Sequence, residues 1–162
     1  MNSASGCASR RPWLTIVMPL HCGERWIDAT LRSVVAEADD ALEIIAVDSS
    51  PNGTTLDIAR RYSDRLHLLL HERPDLNSWQ AKTNLAVALA ASEHICWLHQ
   101  DDLWLPGRAK AVRRWINEAP DAALHLAPTE IVDAKGELLG KWRCPQGQRM
   151  KFPACAVLTF DD

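Results

Sequence analysis

The chain is 162 residues long, 47% hydrophobic and 24% charged, with a formal net charge of -3. That length supports one ordinary domain with a sizeable core rather than two, and the scattered Lys and Arg residues make no basic field for nucleic acid. No window approaches the roughly 18 apolar residues of a membrane span, and the Ser-rich start MNSASGCASRRPW has no apolar signal core, so a cytoplasmic protein with an unordered segment over residues 1–11 is expected.

Trp13 to Leu20, WLTIVMPL, is a short β-rich apolar run closed by Pro19 and reads as a buried strand. The next segment has helical period, with Ile27, Leu31, Val34 and Val35 on one face. Leu42 to Val47 repeats the strand plan and ends in Asp48, followed by a turn of Ser, Pro, Asn and Gly. A helix over Thr55 to Ser63 would turn Ile58, Ala59 and Tyr62 inward. Arg65 to Arg73 reads as a third strand, and WQAKTNLAVALAAS as a helix with Ala81, Leu85, Ala88 and Leu89 inward. A fourth strand, HICWLH, runs into His99, Gln100, Asp101 and Asp102; Pro106 then opens a helix that buries Ala109, Val112 and Ile116.

This βαβαβαβα order predicts a parallel sheet covered by helices on both faces, because parallel strands need crossover connections. A further strand is expected in AALHLAP, and the Asp-Ala-Lys-Gly centre of EIVDAKGELLG suits a hairpin turn. From Arg143 onward the periodicity is weak and the chain reads as cut off. The expected organisation is therefore a domain over residues 12–142 and the start of another region over 143–162. Five cysteines without a CxxC pair suit neither zinc nor a disulfide framework, and Cys96 reads as a core thiol. Among the seven tryptophans, Trp79, Trp115 and Trp142 read as core or surface anchors, while Trp104 either packs under the next helix or walls a sugar.

In an open α/β sheet, ligands bind at the carboxyl ends of the strands, where loops and helix N-termini converge. Three strand ends carry suggestive chemistry: Pro19-Leu20-His21, Asp48-Ser49-Ser50 and His99-Gln100-Asp101-Asp102. Asp48 suits either a turn cap or a ligand contact. Two adjacent carboxylates repel each other and only one is needed for a cap, so Asp101-Asp102 points to a cation site. His99 lies two positions before Asp101, so in extended backbone both side chains face one way; otherwise it is a satisfied structural histidine. Asp48 and Asp101 are expected to project from neighbouring strand tips into one crevice.

TIVMPLHCGERWIDATLRSVVAE, EIIAVDSSPNGTT and the long stretch from HERPDLNSWQ to LPGRAKAV, taken in this order, resemble the family-2 type of inverting GT-A glycosyltransferases. Members of that family read roughly V-S-V-I-I-P-T-Y-N-G-E, V-V-D-D-G-S-T-D and F-L-D-A-D-D-x-W-x-P at the three strand ends. The resemblance covers about Leu14 to Lys141. It implies a Rossmann-like GT-A fold and transfer of a sugar, with inversion, from a nucleotide-diphosphate donor, a UDP-sugar being expected.

By position, the resemblance gives Pro19 and Leu20 to the base pocket, Asp48 to the first acid of D-D-G-S, and Asp101 to the last acid of the D-x-D metal motif, with Asp102 just after it. Ser49 stands where members often carry the second acid, the one that contacts the base. His99 replaces the first metal-motif acid; histidine binds Mn²⁺ better than Mg²⁺, so this departure points toward manganese. Asn84 falls on the helix near the donor, with Ala86 at its glycine position, and Lys82 is a phosphate contact. The implied donor-binding set is thus Pro19, Leu20, Asp48, Ser49, Lys82, Asn84, His99, Asp101 and Asp102, with Asp101 and His99 holding the divalent cation, Mn²⁺ or Mg²⁺.

The resemblance places the general base in a downstream motif that this chain does not match. Asp161 and Asp162 read as a solvated terminal pair. The chain is therefore expected to carry the donor half, in the cytoplasm or peripheral to the inner face of the membrane, with a glycan, lipid-linked or protein acceptor. The alternative is a non-catalytic nucleotide-binding or interaction module of the same fold. A dinucleotide-binding enzyme is disfavoured because PLHCGERW after the first strand lacks the glycine spacing that admits a pyrophosphate.

Overall fold

The structure, a computed structural model, describes residues 11–143. Cys7, Cys144, Cys155, Asp161 and Asp162 lie outside the described residues, as does nearly all of the expected unordered start and of the 143–162 region. Contacts divide the chain into two units, one up to Lys110 and one from Ala111.

The first unit follows the predicted order: β1 (Leu14–Leu20), α1 (Ile27–Val35), β2 (Leu42–Asp48), α2 (Thr54–Arg60), β3 (His67–Glu72), α3 (Trp79–Leu89), β4 (Ile95–Trp97) and the start of α4 (Arg108–Glu118). The strands form one parallel sheet in the order β3-β2-β1-β4. Every residue of β1 and β2 is buried, as expected for central strands with helices on both faces. Side chains alternate across the sheet, so Val17, Ile45 and Val47 pack with Ala86 of α3, while Ile16, Met18, Leu20 and Ile44 point the other way. Each such fully buried aliphatic side chain contributes about 1.5–3 kcal/mol. β3 alternates exposed and half-buried positions, which makes it the sheet edge beyond β2.

At the amino-terminal edge of the sheet, Glu43 is 2% exposed and its Oε2 accepts from Thr15 Oγ1 at 2.7 Å and from the Ala91 backbone N–H at 3.1 Å. This carboxylate ties β1, β2 and the segment after α3 into one polar knot.

Three local expectations are corrected. The buried stripe of α3 is Lys82, Thr83 and Ala86, with Leu85 half-buried and Ala88 and Leu89 exposed. A buried lysine is legible as core only once its partners are known, and those lie on β1 and after β2. β4 ends at Trp97 instead of His99: Leu98 N–H still bonds the Val17 carbonyl at 3.2 Å, but the Asp102 N–H then bonds the His99 carbonyl, closing a turn. The apolar run AALHLAP is not a strand, and pairs with no strand among the described residues; without a ladder partner, periodicity alone does not make one.

In the second unit, β5 (Thr129–Val132) and β6 (Leu138–Trp142) form the predicted antiparallel hairpin. Asp133 Oδ1 accepts from the N–H groups of Lys135 and Glu137, and Gly136 takes φ +85°, a value that favours glycine. Among the described residues, no helix is long and apolar enough to cross a membrane.

Candidate functional site

A cavity of about 260 Å³ opens at the carboxyl ends of β1 and β4, lined by Pro19, Leu20, His21, Trp79, Lys82, His99, Gln100 and Asp101. Its position follows from topology, since β1 is central and its exit has loops on both sides. Five of the nine residues assigned from the sequence, Pro19, Leu20, Lys82, His99 and Asp101, line it together.

The remaining four are placed differently. Asp48 is buried, and β1 separates its strand from β4, so the two acids do not sit on neighbouring strand tips. Its Oδ1 accepts from the Ser50 N–H at 2.9 Å and Ser50 Oγ at 2.6 Å, a turn-capping arrangement; its Oδ2 is buried without a hydrogen-bond partner. Ser49 lies beneath the cavity, with its Oγ 2.8 Å from Lys82 Nζ and 3.1 Å from His21 Nδ1. Asn84 is exposed on α3 and Asp102 is exposed at the end of the turn; neither lines the cavity.

Lys82 is 3% exposed and donates to the Leu20 carbonyl at 2.8 Å as well as to Ser49 Oγ. Burial pushes its pKa below the ordinary lysine value, while the Asp48 carboxylate pulls it back up. The side chain therefore fastens the ends of β1 and β2 together and places a positive charge under the cavity floor.

His99 and Asp101 share the wall opposite, but on the His99–Asp102 turn and not on extended backbone. Trp79 meets His99 edge-on with ring centroids 6.1 Å apart and is 45% exposed; of the core or surface anchor expected, the core alternative falls away, and the ring lines the cavity. Trp104 is buried, in keeping with the packing alternative, and its backbone N–H donates to Ser33 Oγ at 3.0 Å. Sequence reasoning placed His21 and Gln100 in the strand-end stretches without a ligand role and read Trp79 as an anchor; that they line one cavity depends on loops distant in the chain.

Among the described residues, no three His, Cys, Asp or Glu side chains converge as a metal cage. His99 and Asp101 nevertheless face one cavity, and a cation that arrives with a diphosphate needs only one or two protein donors. The donor set fits such an ion, with the imidazole favouring Mn²⁺.

The carboxyl of Asp102 is held above the usual range, chiefly by desolvation and next by the charge of Asp101, with His99 pulling it down. A raised folded-state value means that ionising Asp102 weakens the fold. Asp102→Asn is accordingly expected to melt higher than the parent at neutral pH, with the gap closing as pH falls through the carboxyl range. Parallel thermal melts at pH 7 and pH 4 check the sign.

The sequence model of glycosyl transferase family 2 matches residues 15–155. An uncharacterized glycosyltransferase of Rickettsia conorii is 24% identical over 129 residues, 78% of this chain and 21% of that protein. One from Rickettsia typhi is 23% identical, over 79% of this chain and 40% of its own length. The chain thus spans about a fifth to two fifths of these relatives. Among solved structures, Staphylococcus aureus TarS 1-349 superposes with a TM-score of 0.61 at 21% identity, covering 67% of this chain and 33% of that one, and has also been solved in complex with UDP and with UDP-GlcNAc. A mannosyltransferase from Pyrobaculum calidifontis in complex with GDP-Man and Mn²⁺ superposes with a TM-score of 0.57 at 26% identity, covering 66% of this chain and 33% of its own.

Proposed function

Because the chain belongs to glycosyl transferase family 2, we infer that it binds a nucleotide-diphosphate sugar at the carboxyl edge of its sheet, as the donor-binding part of an inverting, UDP-sugar-dependent transferase. The observation that carries this is the joint lining of one cavity by Pro19, Leu20, Lys82, His99 and Asp101. The UDP and UDP-GlcNAc complexes of TarS, and the GDP-Man and Mn²⁺ complex of the mannosyltransferase, support a nucleotide-sugar donor with a divalent cation.

Pro19 and Leu20 present an apolar strand end against which a base can pack, while the Lys82 charge beneath the floor favours an anion above it. His99 and Asp101 would hold the cation. A Mn²⁺ or Mg²⁺ held there would supply positive charge against the leaving nucleotide diphosphate. An acceptor hydroxyl then displaces that diphosphate at the anomeric carbon in a single inverting step, and its proton passes to a base that none of the cavity residues is assigned to be.

One observation favours a second reading, a nucleotide-binding or interaction module without transfer: the hydrogen bonds of Asp48 run to Ser50 and to no residue that lines the cavity. Calorimetric titration with UDP is expected to show binding that strengthens with Mn²⁺ and weakens with a chelator. Equal heats with and without the cation would remove the donor-site reading; cation-dependent binding without sugar transfer would select the second.

A further inference from the structure

Gln100 sits between the two cation-facing residues and points its side chain back toward the exit of β1. Its Oε1 accepts from the His21 backbone N–H at 2.9 Å, and its Nε2 donates to the His21 carbonyl at 2.9 Å. The amide orientation is unambiguous, since a backbone N–H only donates and a carbonyl only accepts. This reciprocal pair reproduces the exchange of two bonds between facing strand residues, just beyond the point where the β1–β4 ladder stops.

Two further contacts build the arrangement. Thr30 Oγ1 of α1 donates to the Gln100 carbonyl at 2.7 Å. Gly23 leaves the space the carboxamide occupies: a Cβ at that position would lie 2.5 Å from Gln100 Oε1 and 2.8 Å from its Cδ. Gly23 is itself fixed by its N–H on Thr55 Oγ1 at 3.0 Å. The φ of Gly23 is not among the positive values, and the next nearest atom, Thr55 Cγ2 at 3.3 Å, is a milder contact, so the carboxamide is the chief obstacle to a side chain here.

We propose that Gln100 is a positioning residue that clips the His99–Asp102 turn to the Pro19–His21 segment, so that the cation side and the base side of the cavity move as one body. The part about nucleotide affinity rests on the donor-site reading; the mechanical coupling does not. Preorganising both walls removes the ordering that a ligand would otherwise impose.

The test is amide hydrogen exchange by NMR on the unliganded chain, with UDP and Mn²⁺ titrations alongside. In Gln100→Ala, the His21 amide loses its acceptor. Coupling predicts that the Asp102 amide, which bonds the His99 carbonyl, also exchanges about tenfold faster relative to the Ile45 amide of the core, the loss one hydrogen bond supports. Gly23→Ala pushes the carboxamide aside and is expected to do the same, but to add little in the Gln100→Ala background, where the carboxamide is gone and only the milder contact with Thr55 Cγ2 at 3.3 Å is left. Gln100→Glu keeps one bond at neutral pH and regains the donor when protonated, so its exchange returns toward the parent as pH falls. UDP affinity with Mn²⁺ falls about tenfold in the same variants.

Faster exchange confined to His21, a rise shared equally by Ile45, or additive Gly23 and Gln100 effects would each overturn the clip. If the two amides respond together while the parent binds no UDP, the clip stands and the donor-site reading fails.

Discussion

Asp101→Ala is expected to lower UDP affinity in the presence of Mn²⁺ by at least about a hundredfold, since losing a direct metal donor exceeds the 10–100-fold cost of losing an outer-shell partner. Affinity measured with a chelator present should barely change, because the base and phosphate walls at Pro19, Leu20 and Lys82 are untouched. The melting temperature should also hold: Asp101 is exposed, and its removal relieves the repulsion that disfavours Asp102 ionisation. His99→Ala should shift the metal preference away from Mn²⁺ more than it lowers affinity, as imidazole is the softer donor. Calorimetry across Mn²⁺, Mg²⁺ and chelator separates these outcomes. An Asp101→Ala protein that keeps its full Mn²⁺ response would remove this residue from the site.

Lys82→Ala is expected to be the most damaging polar substitution for stability. It removes the donor of two buried hydrogen bonds, to the Leu20 carbonyl and to Ser49 Oγ, and it takes away the cation whose charge is felt by buried Asp48. Unsatisfied buried acceptors cost about 1–3 kcal/mol each, and the lost stem leaves a cavity as well. A loss of about 3 kcal/mol corresponds to a fall of about 10 °C in Tm. Lys82→Met keeps the stem's packing and should recover part of that. The lysine also has a pH dependence that methionine lacks. Its folded-state pKa is lowered from 10.5, so the unfolded chain holds the proton more tightly, and the parent gains stability relative to Lys82→Met as pH rises toward that value. Paired denaturant melts between neutral and alkaline pH read the slope; a gap that shrinks with rising pH would contradict the burial of Lys82.

How much of this was visible in the residues themselves varied by element. β1 and β2 were legible because a central parallel strand must be apolar on both faces, and LTIVMPL and LEIIAVD are nearly so. The α1 stripe of Ile27, Leu31 and Val34 was legible for the same kind of reason, as a helical period on an otherwise polar segment. α3 was not: Ala, Leu and Val surround its whole circumference, so pattern alone does not say which face turns inward, and the buried face carries Lys82.

The site divides along a similar line. That ligand chemistry gathers at the carboxyl ends of the strands, near Pro19, Leu20, His99 and Asp101, follows from alternation of strands and helices together with three motifs in order. Local sequence also set the hairpin turn, through Asp133 and Gly136.

Only the tertiary structure decided that Asp48 faces Ser50 and not the cavity, that Trp79 is a wall, and that Gln100 meets His21 across 79 positions of chain. The reason is range. Strand burial, helix period and turn chemistry are properties of neighbouring residues, whereas a hydrogen bond between two loops depends on where the sheet order β3-β2-β1-β4 sets them down.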